Sequence, residues 1–149
     1  MDNPIRRATA EDAVRIAEII VFNYRLNFYP IFGNDDYYFS ELNTADTAKE
    51  YSDENVINDV YVYDDGAVKG VIQLDGFEIK KLFVEPCLHG NGIGAKLLEF
   101  AVKDLEADNL MVLEKNHRAV KFYEKHGFHL TDEKEFEEDT TEYLIKMKR

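Results

Sequence analysis

Apolar positions along the chain recur with two different spacings. Where they fall on every second residue they predict β-strands, and where they fall three or four residues apart they predict amphipathic helices. The predicted strands span residues 5–8, 56–63, 67–74, 77–84, 110–113, 128–131 and 142–147. One predicted helix begins after a capping-box-like start at Thr9, and three more span residues 45–51, 92–107 and 116–126.

Short turn signals connect these strands and decide their directions. Asp64-Asp65-Gly66 and Asp75-Gly76 predict tight turns, so the strands from 56 to 84 form an antiparallel meander. The helix at 92–107 connects two strands by a right-handed crossover, which makes them parallel. An acidic connection, Asp132 to Asp139, joins the two strands of the last hairpin. The sequence therefore predicts an α/β fold: a mixed, mostly antiparallel six- to seven-stranded sheet with one parallel βαβ unit and helices on both faces.

Length and composition favour a single domain over residues 1–149. Hydrophobic residues make up 45% of the chain, enough for one core, and no apolar run approaches the roughly 20 residues of a membrane span. The start, Met1-Asp2-Asn3-Pro4, is polar, so we expect no signal peptide. Cys87 is the single cysteine, which excludes an internal disulfide and favours a cytoplasmic location.

The net charge of the chain limits the classes of partner that it is expected to bind. A formal net charge of −12 argues against nucleic acid and anionic membranes. It is compatible with a cationic substrate such as an amine, although acidic surfaces also simply keep proteins soluble. His126 and His129 straddle the end of a helix without a third ligand, so no metal site is expected.

The stretch from Leu82 to Leu98 joins an apolar strand to a strong helical pattern through Gly90, Gly92 and Gly94. A glycine turn that opens a helix leaves several N–H groups unpaired and pointing the same way. Together with the positive end of the helix dipole, these donors form an anion site suited to phosphate. The sequence therefore predicts a site for a phosphate-bearing cofactor here.

Two other interpretations of these glycines compete with that one. An ordinary strand-to-helix turn needs fewer glycines. A dinucleotide fingerprint fits Gly90, Gly92 and Ala95, but it should follow its strand closely, and here Pro86 and other residues intervene. The nucleotide-phosphate loop is absent, because Lys96 is followed by leucine.

Two sequence motifs carry a family resemblance. The first reads Leu82-x-Val84-x-Pro86-x-x-His89-x-x-Gly92-x-Gly94, and the second consists of Asn116, Ala119, Phe122-Tyr123-Glu124-Lys125 and Gly127-Phe128. In this order and at this separation they resemble the acetyl-CoA signature and the downstream motif of the GCN5-related N-acetyltransferase (GNAT) superfamily. With the opening Arg6-x-Ala8-x-x-Glu11-Asp12, the resemblance spans essentially the whole chain.

The resemblance implies an N-acetyltransferase. It would move acetyl from acetyl-CoA to a primary amine of a small molecule or protein by direct attack in a ternary complex, without a metal. In this family the two parallel strands splay apart, and the pantetheine arm pairs with the exposed backbone. The implied cofactor-binding residues are Leu82, Phe83, Val84, His89, Gly90, Asn91, Gly92, Ile93, Gly94, Ala95, Asn116 and Tyr123.

Two of these positions depart from the family pattern. His89 replaces the usual Gln or Arg, and Asn91 stands where Lys or Arg is frequent. Both changes remove permanent positive charge from beside the expected diphosphate, so we expect weaker cofactor binding. Because a histidine gains charge as the pH falls toward about 6, we expect binding to strengthen modestly there.

The implied catalytic residues are Tyr123 and Glu78. Tyr123 matches the motif tyrosine that assists the leaving thiolate, while a backbone N–H among Leu82–Val84 would stabilise the oxyanion. Glu78 lies where some relatives carry a glutamate base, and strand alternation predicts that it shares a side with Leu82 and Val84. A free carboxyl lies about six pKa units below a lysine-like amine, so a glutamate base needs burial or an amine that binds neutral. A water chain is the alternative.

The acceptor site is predicted among the aromatic residues between 22 and 39. Tyr24, Tyr29 and Tyr38 are the expected substrate-binding residues, and the other rings are expected to pack the core. The alternative function is a non-catalytic acyl-CoA-binding or sensing domain, and a longer acyl donor also stays open. Relatives are often dimers, so a homodimer is a candidate assembly.

Overall fold

The computed structural model describes residues 3–149, so Met1 and Asp2 of the predicted polar start lie outside the described residues. In this part of the chain seven strands form one sheet. They are β1 (Ile5–Arg7), β2 (Val60–Asp64), β3 (Val68–Asp75), β4 (Glu78–Val84), β5 (Asn109–Leu113), β6 (His129–Phe136) and β7 (Tyr143–Lys148).

Six α-helices accompany the strands over the same residues, together with short 3₁₀ turns and a π-helical turn at Tyr37–Glu41. The α-helices are α1 (Ala13–Asn27), α2 (Tyr29–Phe32), α3 (Thr44–Tyr51), α4 (Glu54–Ile57), α5 (Ile93–Leu105) and α6 (His117–Lys125). Among residues 3–149, no helix has the length and apolar character needed to cross a membrane.

The sheet confirms the predicted fold class. The strand order is β1-β2-β3-β4-β5-β7-β6, and within the described chain β4 and β5 are the one parallel pair. Every other neighbouring pair is antiparallel, and tight turns join two of these pairs, β2–β3 and β3–β4. Helix α5 connects the parallel strands, because parallel neighbours need a long crossover.

Helices cover both faces of the sheet. Ile16, Ile20 and Tyr51 of α1 and α3 pack with Val62 and Val71 on one face. On the other face α5 contributes Ile93, Leu97 and Ala101 to a second core cluster. The alternation of side chains along β2 and β3 supplies both clusters, since successive residues point to opposite faces.

The start of α1 is pinned to the sheet by an ionic contact. The Asp12 carboxylate accepts two hydrogen bonds from the Arg6 guanidinium, at 2.9 and 3.0 Å, and one from the Thr9 backbone N–H at 2.8 Å. The guanidinium also contacts Asp64 at the end of β2. The predicted capping box is therefore present, and it aligns α1 with the edge of the sheet.

Two predicted boundaries were wrong. The strand expected from Val56 begins only at Val60, because Asp53 caps a short helix by accepting the Asn55 N–H at 2.8 Å. The acidic connection expected from Asp132 is also shorter, because β6 continues to Phe136 in register with β7. Backbone pairing with β7 there outweighs the weak strand propensity of acidic residues.

Candidate active site

The parallel strands β4 and β5 separate almost as soon as they meet. Glu78 pairs with Asn109 and Ile79 with Leu110, after which no further β4–β5 pair forms within the described chain. β5 instead stays paired with β7 as far as Leu113. The gap opens into a cavity of about 1040 Å³ that reaches from α5 and α6 on one face to α1 on the other.

The glycine turn lies at one end of this cavity. Gly90 and Gly92 have φ angles of +87° and +82°, and Gly92 is the N-cap of α5. The Lys96 N–H already bonds the Gly92 carbonyl, so the N–H groups of residues 93–95 are the orphan donors of the first turn. Gly90 and residues 92–95 all line the cavity. This end therefore has the geometry of an anion site.

The two polar side chains in this turn fold back onto the protein. His89 Nε2 lies 2.9 Å from the Val84 carbonyl oxygen, and Asn91 Nδ2 donates to the Leu88 carbonyl oxygen at 2.9 Å. His89 lines the cavity, whereas Asn91 is outside its lining. These contacts brace the turn, so its anion-binding capacity comes from backbone amides.

The end of β4 is held by a buried asparagine. Asn23 is 1% exposed, and its Nδ2 donates to the carbonyls of Ile19 and Val84, each at 2.8 Å. The Glu85 N–H bonds Lys69 of β3, and backbone groups alternate between the two edges of a strand. The Leu82 and Val84 amides therefore face the gap, while Phe83 is bonded toward β3. All three residues line the cavity.

Helix α6 closes the same end with Tyr123 and Asn116. The Tyr123 ring packs edge-on against Phe122 and Phe128, with centroids 5.2 and 5.8 Å away, and its hydroxyl bonds no other described residue. Burial raises the pKa of the Tyr123 phenol, so it keeps its proton at neutral pH. Asn116 caps α6 by accepting the Ala119 N–H at 3.3 Å. Both side chains line the cavity.

Two of the three predicted acceptor-site tyrosines line the opposite end. Tyr24 packs against Phe28 and Phe83, with centroids 5.1 and 5.5 Å away, and Tyr38 is 5% exposed. Burial raises the pKa of Tyr24, and raises that of Tyr38 to about 12. Tyr29 lies outside the lining and donates its hydroxyl proton to Asp35 at 2.5 Å.

The structure adds residues at this end that the sequence did not assign to a site. Glu41 and the β6–β7 loop residues 137–140 line the cavity beside Tyr37. From the sequence, the acidic segment from Asp132 to Asp139 is predicted only to connect two strands. Its position opposite the α1–α2 aromatic residues depends on the sheet order, which brings β7 next to β5. The mouth of this end is therefore acidic and aromatic.

The predicted orientation of Glu78 was wrong. A bulge at Lys80 shifts the β3–β4 register, because Gln73 pairs with Lys81 but Leu74 pairs with Ile79. Glu78 therefore shares a side with Lys81 and Phe83, and not with Leu82 and Val84. Glu78 lies outside the cavity lining, in a 3.5 Å ion pair with the bulged residue. As a base it stays a prediction.

Lys81 of β4 is a residue of this cavity that the sequence did not assign to a site. Its side chain lines the cavity, and its Nζ donates to the Tyr51 hydroxyl oxygen at 2.9 Å. Tyr51 in turn donates to Gln73 Oε1 at 2.5 Å. The Nζ also lies 5.8 and 5.4 Å from the ring centroids of Tyr24 and Tyr51. Burial lowers the pKa of Lys81.

A sequence-family comparison covers most of the chain. The model of a family described as acetyltransferase (GNAT) domain matches residues 35–148. Peptidyl-lysine N-acetyltransferase YjaB of Salmonella typhimurium is 35% identical over 79 residues, covering 53% of this chain and 54% of that protein. The Escherichia coli protein of the same name is 35% identical over 69 residues, covering 46% and 47%. The chain thus spans about half the length of these curated relatives.

Solved structures share the fold over the whole chain. The solution structure of apo-form YjaB from Escherichia coli has a TM-score of 0.72 at 21% identity, covering 99% of this chain and 97% of that one. The crystal structure of PaiA N-acetyltransferase from Thermoplasma acidophilum in complex with coenzyme A has a TM-score of 0.74 at 20% identity, covering 100% of both chains. At these identities the likeness is one of fold.

Proposed function

The chain belongs to the GNAT acetyltransferase family, and on that premise we propose that it transfers acetyl from acetyl-CoA to a primary amine by direct attack in a ternary complex. One observation carries the proposal. A single cavity joins the amide-lined glycine turn to an acidic, aromatic mouth through the gap between β4 and β5. That arrangement suits a donor and an acceptor that meet in the middle.

Acetyl-CoA fits the α5 end of this cavity. The free N–H groups of residues 93–95 suit the diphosphate, and the Leu82 and Val84 backbone suits the pantetheine amides. Arg118 and Lys125 of α6 line the cavity and supply positive charge for the phosphates. Coenzyme A is present in the PaiA structure of the same fold.

Tyr123 is proposed to assist the leaving group. A thiol titrates at about 8.5 and an ordinary phenol at about 10, so full proton transfer to the CoA thiolate is uphill by roughly 2 kcal/mol before burial adds to it. The phenol therefore acts as a hydrogen-bond donor whose contribution grows as charge builds on sulfur. A gap-facing β4 amide is proposed to stabilise the carbonyl oxyanion in the same way.

The acceptor is proposed to be a primary amine of a peptide or small molecule. The acidic mouth, with Glu41 and Glu137, attracts an ammonium group, and the aromatic wall suits the alkyl chain that carries it. The curated relatives are named for peptidyl-lysine acetylation, so lysine peptides come first among the acceptors to test. A cytoplasmic location is proposed on the cysteine content alone.

Calorimetry and turnover test the proposal together. We expect heat from acetyl-CoA binding, and thiol release when acetyl-CoA is mixed with one member of a panel of lysine peptides, polyamines and amino sugars. Thermal shifts with acetyl-, propionyl- and succinyl-CoA identify the preferred acyl group. Absence of binding by every CoA thioester would overturn the proposal. Binding without turnover on any amine would favour a sensing domain.

A further inference from the structure

Lys81 is a basic residue of β4 that lines the cavity on the acceptor side. Regular alternation from Lys81 to Val84 places it on the side of Phe83, toward α1 and α3, and it lies three residues closer than Glu78 to the end of β4 where the strands are apart. Its amine is held between the rings of Tyr24 and Tyr51. This is the face from which an amine entering through the acidic mouth approaches the gap.

The hydrogen bonds around Lys81 fix the direction of its amine. Tyr51 donates its hydroxyl hydrogen to Gln73, so the Tyr51 oxygen is left to accept a hydrogen bond from Lys81 Nζ. One N–H of Lys81 is therefore directed to Tyr51 and away from an incoming acceptor. Lys81 Nζ has no other hydrogen-bond partner among the described residues, and Lys81 lines the cavity.

We propose that the Lys81 amine is the general base that takes the first proton from the acceptor ammonium. This assignment rests on the proposed function. The Tyr24, Tyr37 and Tyr38 phenols of the acceptor-side wall have pKa values that burial raises, so they hold their protons. The same burial shifts the pKa of Lys81 in the opposite direction, which favours a neutral amine with a lone pair. The carboxylates of Glu41, Glu137, Glu138 and Asp139 line the mouth of this end, where we assign them to attracting the ammonium group.

The charged and titratable groups around the amine agree with this role. Tyr24 faces it from α1, Tyr51 and the exposed Glu50 from α3, and neutral Gln73 from β3. Glu50 raises the pKa of Lys81, but burial is the larger effect. Glu78 on the same face of β4 is paired with Lys80. None of these residues holds a carboxylate in contact with the Lys81 amine.

The reaction balances with one proton passing through Lys81. The ammonium gives a proton to the Lys81 nitrogen and becomes a neutral amine. Its lone pair attacks the thioester carbonyl, the C–N bond forms, and the C–S bond breaks with its electrons leaving on sulfur. The second nitrogen proton ends on the CoA thiol by way of Tyr123 or water, and Lys81 returns its proton to solvent.

Two substitutions at one position test the assignment. Lys81→Met removes the nitrogen, and Lys81→Arg keeps a cation that cannot be deprotonated. With acetyl-CoA and a single-lysine peptide, we expect both to lower kcat by about 100-fold or more, which is the ordinary range for losing a general base. The exposed Lys103→Met, on the far side of α5, is the matched control and should keep the kcat of the parent.

A second acceptor separates a base from a structural residue. An aminooxy group in place of the lysine amine is neutral at pH 7, so it needs no deprotonation before it attacks the thioester. We expect the Lys81 variants to acetylate it within about fivefold of the parent rate. The parent kcat with the lysine peptide should level off once Lys81 is neutral, whereas in Lys81→Met it should keep rising with pH until the acceptor amine itself has lost its proton.

The possible results distinguish the role of Lys81 from the proposed function. If the parent turns over and Lys81→Arg keeps its kcat within threefold, or both acceptors lose rate equally, Lys81 is not the base. If the parent neither binds acetyl-CoA nor releases thiol with any amine, the proposed function fails and this assignment falls with it. Thermal unfolding and acetyl-CoA affinity close to the parent values would show that the variants are folded.

Discussion

Replacing Tyr123 with phenylalanine isolates the hydroxyl that we propose assists thiolate departure. Phenylalanine keeps the edge-on ring contacts with Phe122 and Phe128 that hold the side chain on α6. The substitution therefore leaves the packing almost unchanged and removes one polar atom that has no partner among the described residues. We expect the thermal unfolding midpoint and the acetyl-CoA affinity to stay near the parent values.

The expected rate loss follows from a single hydrogen bond. Burial raises the Tyr123 pKa further above that of a thiol, so the phenol contributes a donor and not a transferred proton in the transition state. A hydrogen bond to a charged partner contributes about 1.5–3 kcal/mol. At 1.36 kcal/mol per tenfold, this corresponds to a loss in kcat of roughly 10- to 150-fold.

Steady-state thiol release with saturating acetyl-CoA and acceptor measures this loss. Tyr61→Phe is the control, because Tyr61 is a partly buried tyrosine of β2 that lies outside the cavity lining. Its ring contacts the Arg7 guanidinium, which phenylalanine can also contact. Because the Tyr123 pKa is raised, its deprotonation should not lower the parent kcat below about pH 10. A folded, acetyl-CoA-binding Tyr123→Phe protein with kcat within twofold of the parent would refute the role.

Three further substitutions test the anion site and the fold. Gly92→Ala forces a side chain onto a φ of +82°, which strains the folded turn by about 1–2 kcal/mol, so the unliganded protein should melt a few degrees lower and calorimetry should show acetyl-CoA affinity about tenfold weaker. Gly70→Ala places a Cβ 2.8 Å from Leu97 Cδ1, so the free energy of unfolding in urea should fall by about 1–3 kcal/mol. Asp12→Asn should lower the free energy of unfolding by about 1–2 kcal/mol at pH 7, because it weakens the hydrogen bonds from Arg6 that lower the Asp12 pKa. This difference from the parent should hold above pH 5 and shrink as the pH falls below about 4, where the parent carboxylate becomes protonated. An unchanged difference at pH 3 would contradict this origin.

The sequence predicted the fold because the signals that define it are local. Turn residues at 64–66 and 75–76 made the meander antiparallel, and the long helix at 92–107 made its flanking strands parallel. The anion site was visible for the same reason, since a glycine turn and a helix N-terminus are adjacent in sequence and their donors need no distant partner.

Tyr24 and Tyr38 of the acceptor side were predicted from the sequence, but its charged residues were not, because their positions depend on contacts between distant residues. The register of β4 against β3 creates the Lys80 bulge, and this one inserted residue moves Glu78 to the side of the sheet that carries Lys81. Strand alternation alone carries no sign of such a bulge. The contact of Lys81 with Tyr51 joins residues that are thirty positions apart in the chain.

By itself, then, the sequence determined the class of sheet, the position of the crossover helix and the backbone amides that suit a phosphate. Tertiary structure decided which side chains reach the cavity. It set Lys81 there and Glu78 outside it, and it brought the acidic 137–140 loop opposite the aromatic residues of α1 and the π-helical turn. The physical reason is that backbone conformation is encoded within a few residues, whereas side-chain neighbours depend on strand register and sheet order.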